Sequence, residues 1–181
     1  MMKMINNHTS YEQSKRLVEL GLLQETADAW YKEVYKHTLS DDGRIISNSE
    51  IPDYVSLVLH QDANWTLDTW NYVPCWGLGQ LFEILPKTVE NRHFNNDINT
   101  LLIYPNIENK WLVGYGTSMA VGTLATHSFI KSSINEKLVD SVYEIICWVL
   151  ENGYLTTEMQ NELKAKQETE LYYIFEQNEK G

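Results

Sequence analysis

Leu138, Val139, Val142, Ile145, Ile146, Val149 and Leu150 recur at the spacing that gathers apolar side chains on one helix face. Ser133-Ile134-Asn135-Glu136 precedes them in the S-x-x-E form of a capping box, and Gly153 follows as a stop. The pattern predicts a helix over 134–152 that is the spine of the core. Ser10-Tyr11-Glu12-Gln13 is a second capping box, predicting a helix with Leu17, Val18 and Leu20 on its apolar side and Gly21 at its end.

Period-two stretches predict strands. Ile98–Tyr104 and Lys110–Tyr115 flank Pro105-Asn106-Ile107-Glu108-Asn109, a link of hairpin length. Trp111, Val113 and Tyr115 fall on one face of that hairpin. Residues 29–38 fit either a helical stripe or a strand. Their aromatic and branched residues favour the strand, in a hairpin across 29–49 turning at Asp42-Gly43. Tyr54–Leu59 reads as a strand, and residues 117–131 as one further short strand. Pro74 precedes an apolar helix from Trp76 to Leu85 that Pro86 closes, because proline cannot continue it. Residues 87–97 are polar and read as a loop.

Together these elements give an α+β fold, a small antiparallel sheet of hairpins packed against a long amphipathic helix and shorter helices. The expected organisation is a flexible lead-in over 1–9, a single domain over 10–155, and a polar helical extension over 156–181. Met159, Leu163, Leu171, Ile174 and Phe175 are thinly spaced along that extension.

Charge narrows the function classes. The chain has 14 basic and 25 acidic side chains among 181 residues, a net charge of −11. Phosphate backbones are bound by clustered Lys and Arg. The densest basic stretch, Lys164-Ala165-Lys166, is flanked by acids, so direct nucleic-acid binding is not expected, nor is an anionic membrane surface. No apolar run approaches a membrane span, and the first residues lack the apolar core of a secretory leader. The expectation is a cytoplasmic protein.

The chain offers few signatures of chemistry. Cys75 and Cys147 sit in apolar company and read as reduced core thiols rather than nucleophiles. His8, His37, His60, His93 and His127 lack metal-ligand spacing. Gly114-Tyr115-Gly116 with Gly122 matches no phosphate-binding loop. Ser118 and Ser128 have no nucleophile-elbow frame, and His127, adjacent to Ser128, would not face it. No catalytic residue, metal ligand or cofactor is predicted. Aromatic richness is the unusual feature, with six Trp and eleven Tyr. Trp76 and Trp148 are expected in the core, whereas Trp65, Trp70 and Tyr72, around a polar loop, are the candidate binding residues.

Three stretches carry a resemblance. They are Glu12-Gln13-Ser14-Lys15 running to Glu25-Thr26-Ala27-Asp28, Val73-Pro74-Cys75-Trp76-Gly77-Leu78 ending in Leu85-Pro86, and Leu138-Val139-Asp140 continuing to Asn152-Gly153-Tyr154. In that order the chain resembles small uncharacterised proteins of gut Bacteroides and their phages or mobile elements, over roughly residues 10–155. Gly77 stands where the resemblance expects Ser, and the 156–181 extension is longer than usual. The resemblance implies provenance and domain extent but transfers no activity. The leading expectation is a non-enzymatic protein-interaction or accessory protein whose acidic surface meets a host or phage protein. The alternatives are a small-molecule or carbohydrate-binding module using the loop aromatics, and an enzyme.

Overall fold

The computed structural model describes residues 7–34, 37–39, 45–48, 54–59, 71–91, 97–121 and 124–178. The architecture is α+β. In chain order the elements are α1 (Tyr11–Glu19), a 3-10 turn (Gln24–Thr26), β1 (Ala29–Val34), β2 (His37–Leu39), β3 (Ile45–Asn48), β4 (Tyr54–Leu59) and β5 (Asn71–Cys75). Then follow α2 (Leu78–Ile84), β6 (Thr88–Glu90), β7 (Ile98–Pro105), β8 (Trp111–Val121), β9 (Leu124–Asn135), α3 (Leu138–Glu151) and α4 (Thr157–Asn178). The strands form three antiparallel sheets, ordered β4-β1-β5, β2-β3 and β6-β7-β8-β9. Among the described residues, no helix is long and apolar enough to cross a membrane.

α3 is the predicted spine. Val139, Val142, Ile145, Ile146 and Val149 are buried on one side of it, against Val113 and Tyr115 of β8 and against Leu81, Ile84 and Leu85 at α2. Ser141 Oγ donates to the Trp111 carbonyl at 2.8 Å, pinning the start of α3 to the start of β8. Trp76 is fully buried, and Trp148 packs at the core margin between Tyr115 and Tyr154. α1 opens with the capping box its sequence predicts, and Gln13 Nε2 reaches across to Asp140 Oδ1 at 2.8 Å. Gly21 and Gly153, both at positive φ, follow the ends of α1 and α3.

Several local expectations are corrected. The second capping box is not one. Ser133 and Asn135 belong to β9, and α3 starts at Leu138 with no side-chain cap. Ser133 Oγ instead donates to Glu144 Oε2 at 2.6 Å, so the polar pair joins strand to helix rather than opening the helix. Residues 117–131 are not one short strand. They contain the end of β8 and most of β9, which pair from Trp111–Asn135 through to Val121–Leu124. The expected 87–97 loop contains β6, with Val89 buried and paired to Asn99. Pro74 and Cys75 lie in β5, and the helix after them begins at Leu78. The 29–49 hairpin resolves into β2 and β3, which pair with each other, whereas β1 lies between β4 and β5.

The last residues of the expected lead-in are held tightly. His8 bridges to Gly77, and Thr9 is fully buried. The Thr9 backbone donates to the Trp76 carbonyl at 2.9 Å, and its hydroxyl accepts from the Trp76 N–H at 3.2 Å. That hydroxyl also shares a 2.8 Å hydrogen bond with Ser14, while Tyr31 donates to the Thr9 carbonyl at 2.7 Å. At the other terminus the first turns of α4 dock through Gln160. Its side chain is 3% exposed, accepts from the Leu23 N–H at 2.8 Å and donates to the Gly21 carbonyl at 3.3 Å. The amide thereby satisfies two backbone groups left over where α1 ends.

Two stability predictions follow from this packing. Gln160→Ala strands buried polar groups and is expected to cost about 1–3 kcal/mol in urea unfolding, whereas Glu162→Ala, exposed on the same helix, should change little. Burial raises the Tyr115 phenol above its ordinary 10.0, and its OH donates to the Pro86 carbonyl at 2.6 Å. The folded state therefore keeps this proton where the unfolded chain releases it. The contribution is complete below pH 10 and falls away above it. In thermal melts from pH 8 to 11, Tyr115→Phe should lower the melting temperature at pH 8 and flatten its alkaline decline.

Candidate functional site

The β8–β9 hairpin carries the unusual geometry. Tyr104 of β7 pairs with Leu112, and Ser118 pairs with His127. Six residues of extended strand separate Leu112 from Ser118, about 20 Å in a straight ladder. Yet the Tyr104 and His127 rings lie 5.3 Å apart, and Phe129 sits 6.5 Å from the first and 6.1 Å from the second. The hairpin must therefore curl back over the face that α3 leaves uncovered.

Gly114 and Gly116 permit the curl. A Cβ on Gly114 would stand 2.5 Å from the Lys131 carbonyl oxygen and 2.9 Å from Ser132 Cα. One on Gly116 would collide with the Ser128 carbonyl and lie 3.0 Å from the Phe129 ring. Between the two glycines the register shifts: Tyr115 faces Lys131 but Gly116 faces Phe129, so Ile130 is the extra residue of a β-bulge. Phe129 covers the bare backbone of Gly116, a cross-strand pairing that protects a glycine in a sheet.

The curl brings Ser118 Oγ within 2.9 Å of His127 Nδ1. As a catalytic pair this geometry is poor. Both residues are exposed, and among the described residues no carboxylate orients the imidazole. Backbone N–H groups along the paired strands are committed to the ladder rather than gathered as an oxyanion hole. The pair reads as a cross-strand clasp on the curl.

Beside the clasp lies an open cavity of about 530 Å³ lined by Asn91, Asp97, Asn99, Thr117, Ser128, Phe129 and Ile130. Asn91 and Asp97 are brought together by a 2.8 Å backbone hydrogen bond, Asn91 N–H to the Asp97 carbonyl. Asn99 is buried on β7, and its Nδ2 donates to the same carbonyl at 3.0 Å. Thr117 and Ser128 are directly paired across β8 and β9. Phe129 belongs both to this wall and to the ring cluster.

Of the sequence-predicted binding residues, Tyr72 lies on β5, half-buried and paired with Lys32. Trp65 and Trp70 lie outside the described residues, as do His60 and His93. Nothing brings Tyr72 to the cavity. The residues that do meet there were missed because their partners are remote in sequence. The sequence sets His127 beside Ser128, whereas its partner is Ser118 across the hairpin. The available signal was the Gly114-x-Gly116 pair inside a strand, which marks close backbone approach.

Cys75 is buried, and burial pushes its thiol up more strongly than the Thr9 hydrogen bond lowers it. Cys147 is pushed up by the same cause. Neither has the character of a nucleophile. Among the described residues no three His, Cys, Asp or Glu side chains gather as a metal site. No family model, curated protein or solved structure matches the chain.

The curl is testable by substitution. Gly116→Ala forces β8 and β9 apart and is expected to cost about 1–3 kcal/mol in denaturant unfolding, the range of overpacking. Ser118→Ala removes only an exposed hydrogen bond and should cost less than about 1 kcal/mol.

Proposed function

We propose that this chain is a non-covalent recognition protein whose cavity between β6, β7, β8 and β9 takes a small polar molecule. The observation that carries this reading is the convergence of Asn91, Asp97, Asn99, Thr117 and Ser128 with Phe129 on one cavity of about 530 Å³. Small-molecule sites are typically concave spaces of about 300–1,000 Å³ with an apolar wall and a few placed polar groups. The cavity lies where a bulge and two glycines bend a sheet, the kind of local irregularity that re-aims side chains near binding sites. This prefers the alternative of a small-molecule-binding module over the leading expectation of a protein-interaction protein, and moves its site from the 65–72 aromatics to the β8–β9 curl.

A second reading, an accessory protein that docks a host or phage protein, is favoured by the exposure of Ile98 (67%) and Ile134 (49%) on β7 and β9. With a net charge of −11, the fitting partner is a basic protein with an apolar patch.

The two readings separate in one experiment. In a fragment screen followed by amide NMR, the cavity reading expects shifts clustered at Asn99, Thr117 and Ser128, abolished by a Thr117→Val, Ser128→Ala pair. Docking expects capture of a basic protein that weakens with salt and with Ile134→Glu but not with the cavity pair. A screen that leaves the three cavity amides unmoved would overturn the first reading.

A further inference from the structure

We infer that the sheet face which α3 leaves open, at the end where β7 turns into β8, is where a second copy of this chain docks to form a two-fold dimer. The inference stands apart from the cavity and goes beyond it. It begins with where apolar surface is left in water. Among the described residues four large apolar side chains are exposed, Ile98, Ile103, Ile107 and Ile134. All four belong to β7, to its turn into β8, or to β9. Isoleucines exposed singly over a surface need no explanation, but their confinement to one sheet does.

The register places them. Val113 and Tyr115 pack towards α3, so Leu112, next to Val113, is on the opposite face. Tyr104 and Ile134 pair with Leu112 from either side, which makes an apolar row across three strands. Tyr104 and Leu112 are half-buried, and Ile134 is 49% exposed. Ile107, fully exposed, is in the turn just past the Pro105–Trp111 pair, at the end of that row. Ile103 pairs with Val113 and so lies on the α3 side. Ile98 is six residues up β7, about 20 Å away in a straight strand, and marks the far end of the open face.

Charge decides what covers this surface. Residues 98–137, which contain β7, β8 and β9, hold two acids, Glu108 and Glu136, and three bases, Lys110, Lys131 and Lys137. Glu108 and Lys110 pair with each other at 2.8 Å. The stretch has net charge +1, which leaves −12 on the other 141 residues. A basic partner finds its attraction on that remainder and gains nothing here. A second copy is repelled by the acidic remainder, whereas across this sheet the two copies meet neutral on neutral. Interface cores have this composition, depleted in charge and rich in apolar and aromatic side chains. A two-fold axis sets such a patch against itself.

Sedimentation equilibrium of the intact chain, over a wide range of concentration and in low and high salt, tests this. The expected result is a reversible equilibrium between the 21.1 kDa chain and its dimer. The dimer should tighten as salt screens the two acidic remainders from each other. Ile107→Glu and Ile134→Glu each place a carboxylate in the contact and should weaken the dimer about tenfold or more. Ile98→Glu should weaken it less. All three positions are exposed, so circular dichroism and amide dispersion should stay those of the folded chain. A chain that is monomeric under every condition overturns the inference. So does a dimer that loosens with salt, or one that Ile107→Glu and Ile134→Glu leave intact. A monomer that captures a basic protein instead, more weakly as salt rises, supports docking of a foreign protein and overturns the dimer. None of these outcomes bears on the cavity, whose own test reads the amides of Asn99, Thr117 and Ser128.

Discussion

The close approach of β8 and β9 at Gly114 and Gly116 is the constraint on which the upper half of the molecule depends. With side chains at those positions the strands could not come this near, and the hairpin would run straight past Tyr104. The ring cluster, the Ser118–His127 clasp and the cavity wall are all consequences of that contact. The inner surface of the same strand has the opposite requirement. Val113 and Tyr115, alternating with the glycines, are large and fully buried against α3. One strand thus carries bulk on the side that must be filled and nothing on the side that must close.

This division explains why the polar residues of the cavity are ordered without an extensive network of their own. Asn99 has Val89 beside it on β6, and Thr117 and Ser128 are held by their positions in a continuous ladder. Strand-borne side chains keep their spacing through the backbone, so a site built on them is more exactly placed than one on a loop. Of the loop aromatics singled out by composition, Tyr72 on β5 has support of the same kind.

Legibility in the sequence followed the range of the interactions. α1 is readable from its capping box, α3 from its 3.6-residue stripe, and both from their glycine stops, all local signals, and the β7–β8 hairpin because Asn106 and its neighbours make a local turn. The second half of β8 and nearly all of β9 are not. Ser118, Thr126, His127 and Ser128 offer little hydrophobic alternation, because part of that ribbon faces an open cavity on one side and a small ring cluster on the other. Ser133-Ile134-Asn135-Glu136 failed for a related reason. A Ser three residues before a Glu also suits a strand whose hydroxyl reaches a helix, here at Glu144, and only the tertiary partner decides between the two. The site failed as a prediction because each of its contacts joins residues from different strands.

Thr9 has a consequence for how the chain is assembled. Its hydroxyl and backbone are satisfied by Ser14, Cys75, Trp76 and Tyr31, so the stretch that leads into α1 is completed by residues made 66 and 67 positions later. A nascent chain emerging from the ribosome can form α1 early, since its cap is local. It cannot bury Thr9 until β5 has been synthesised and has found its place beside β1. During that interval a polar group destined for the interior stays in water, and the first helix has no floor to rest on. The N-terminal half therefore becomes native only once this long loop has closed, which carries an entropic cost that the local helix does not.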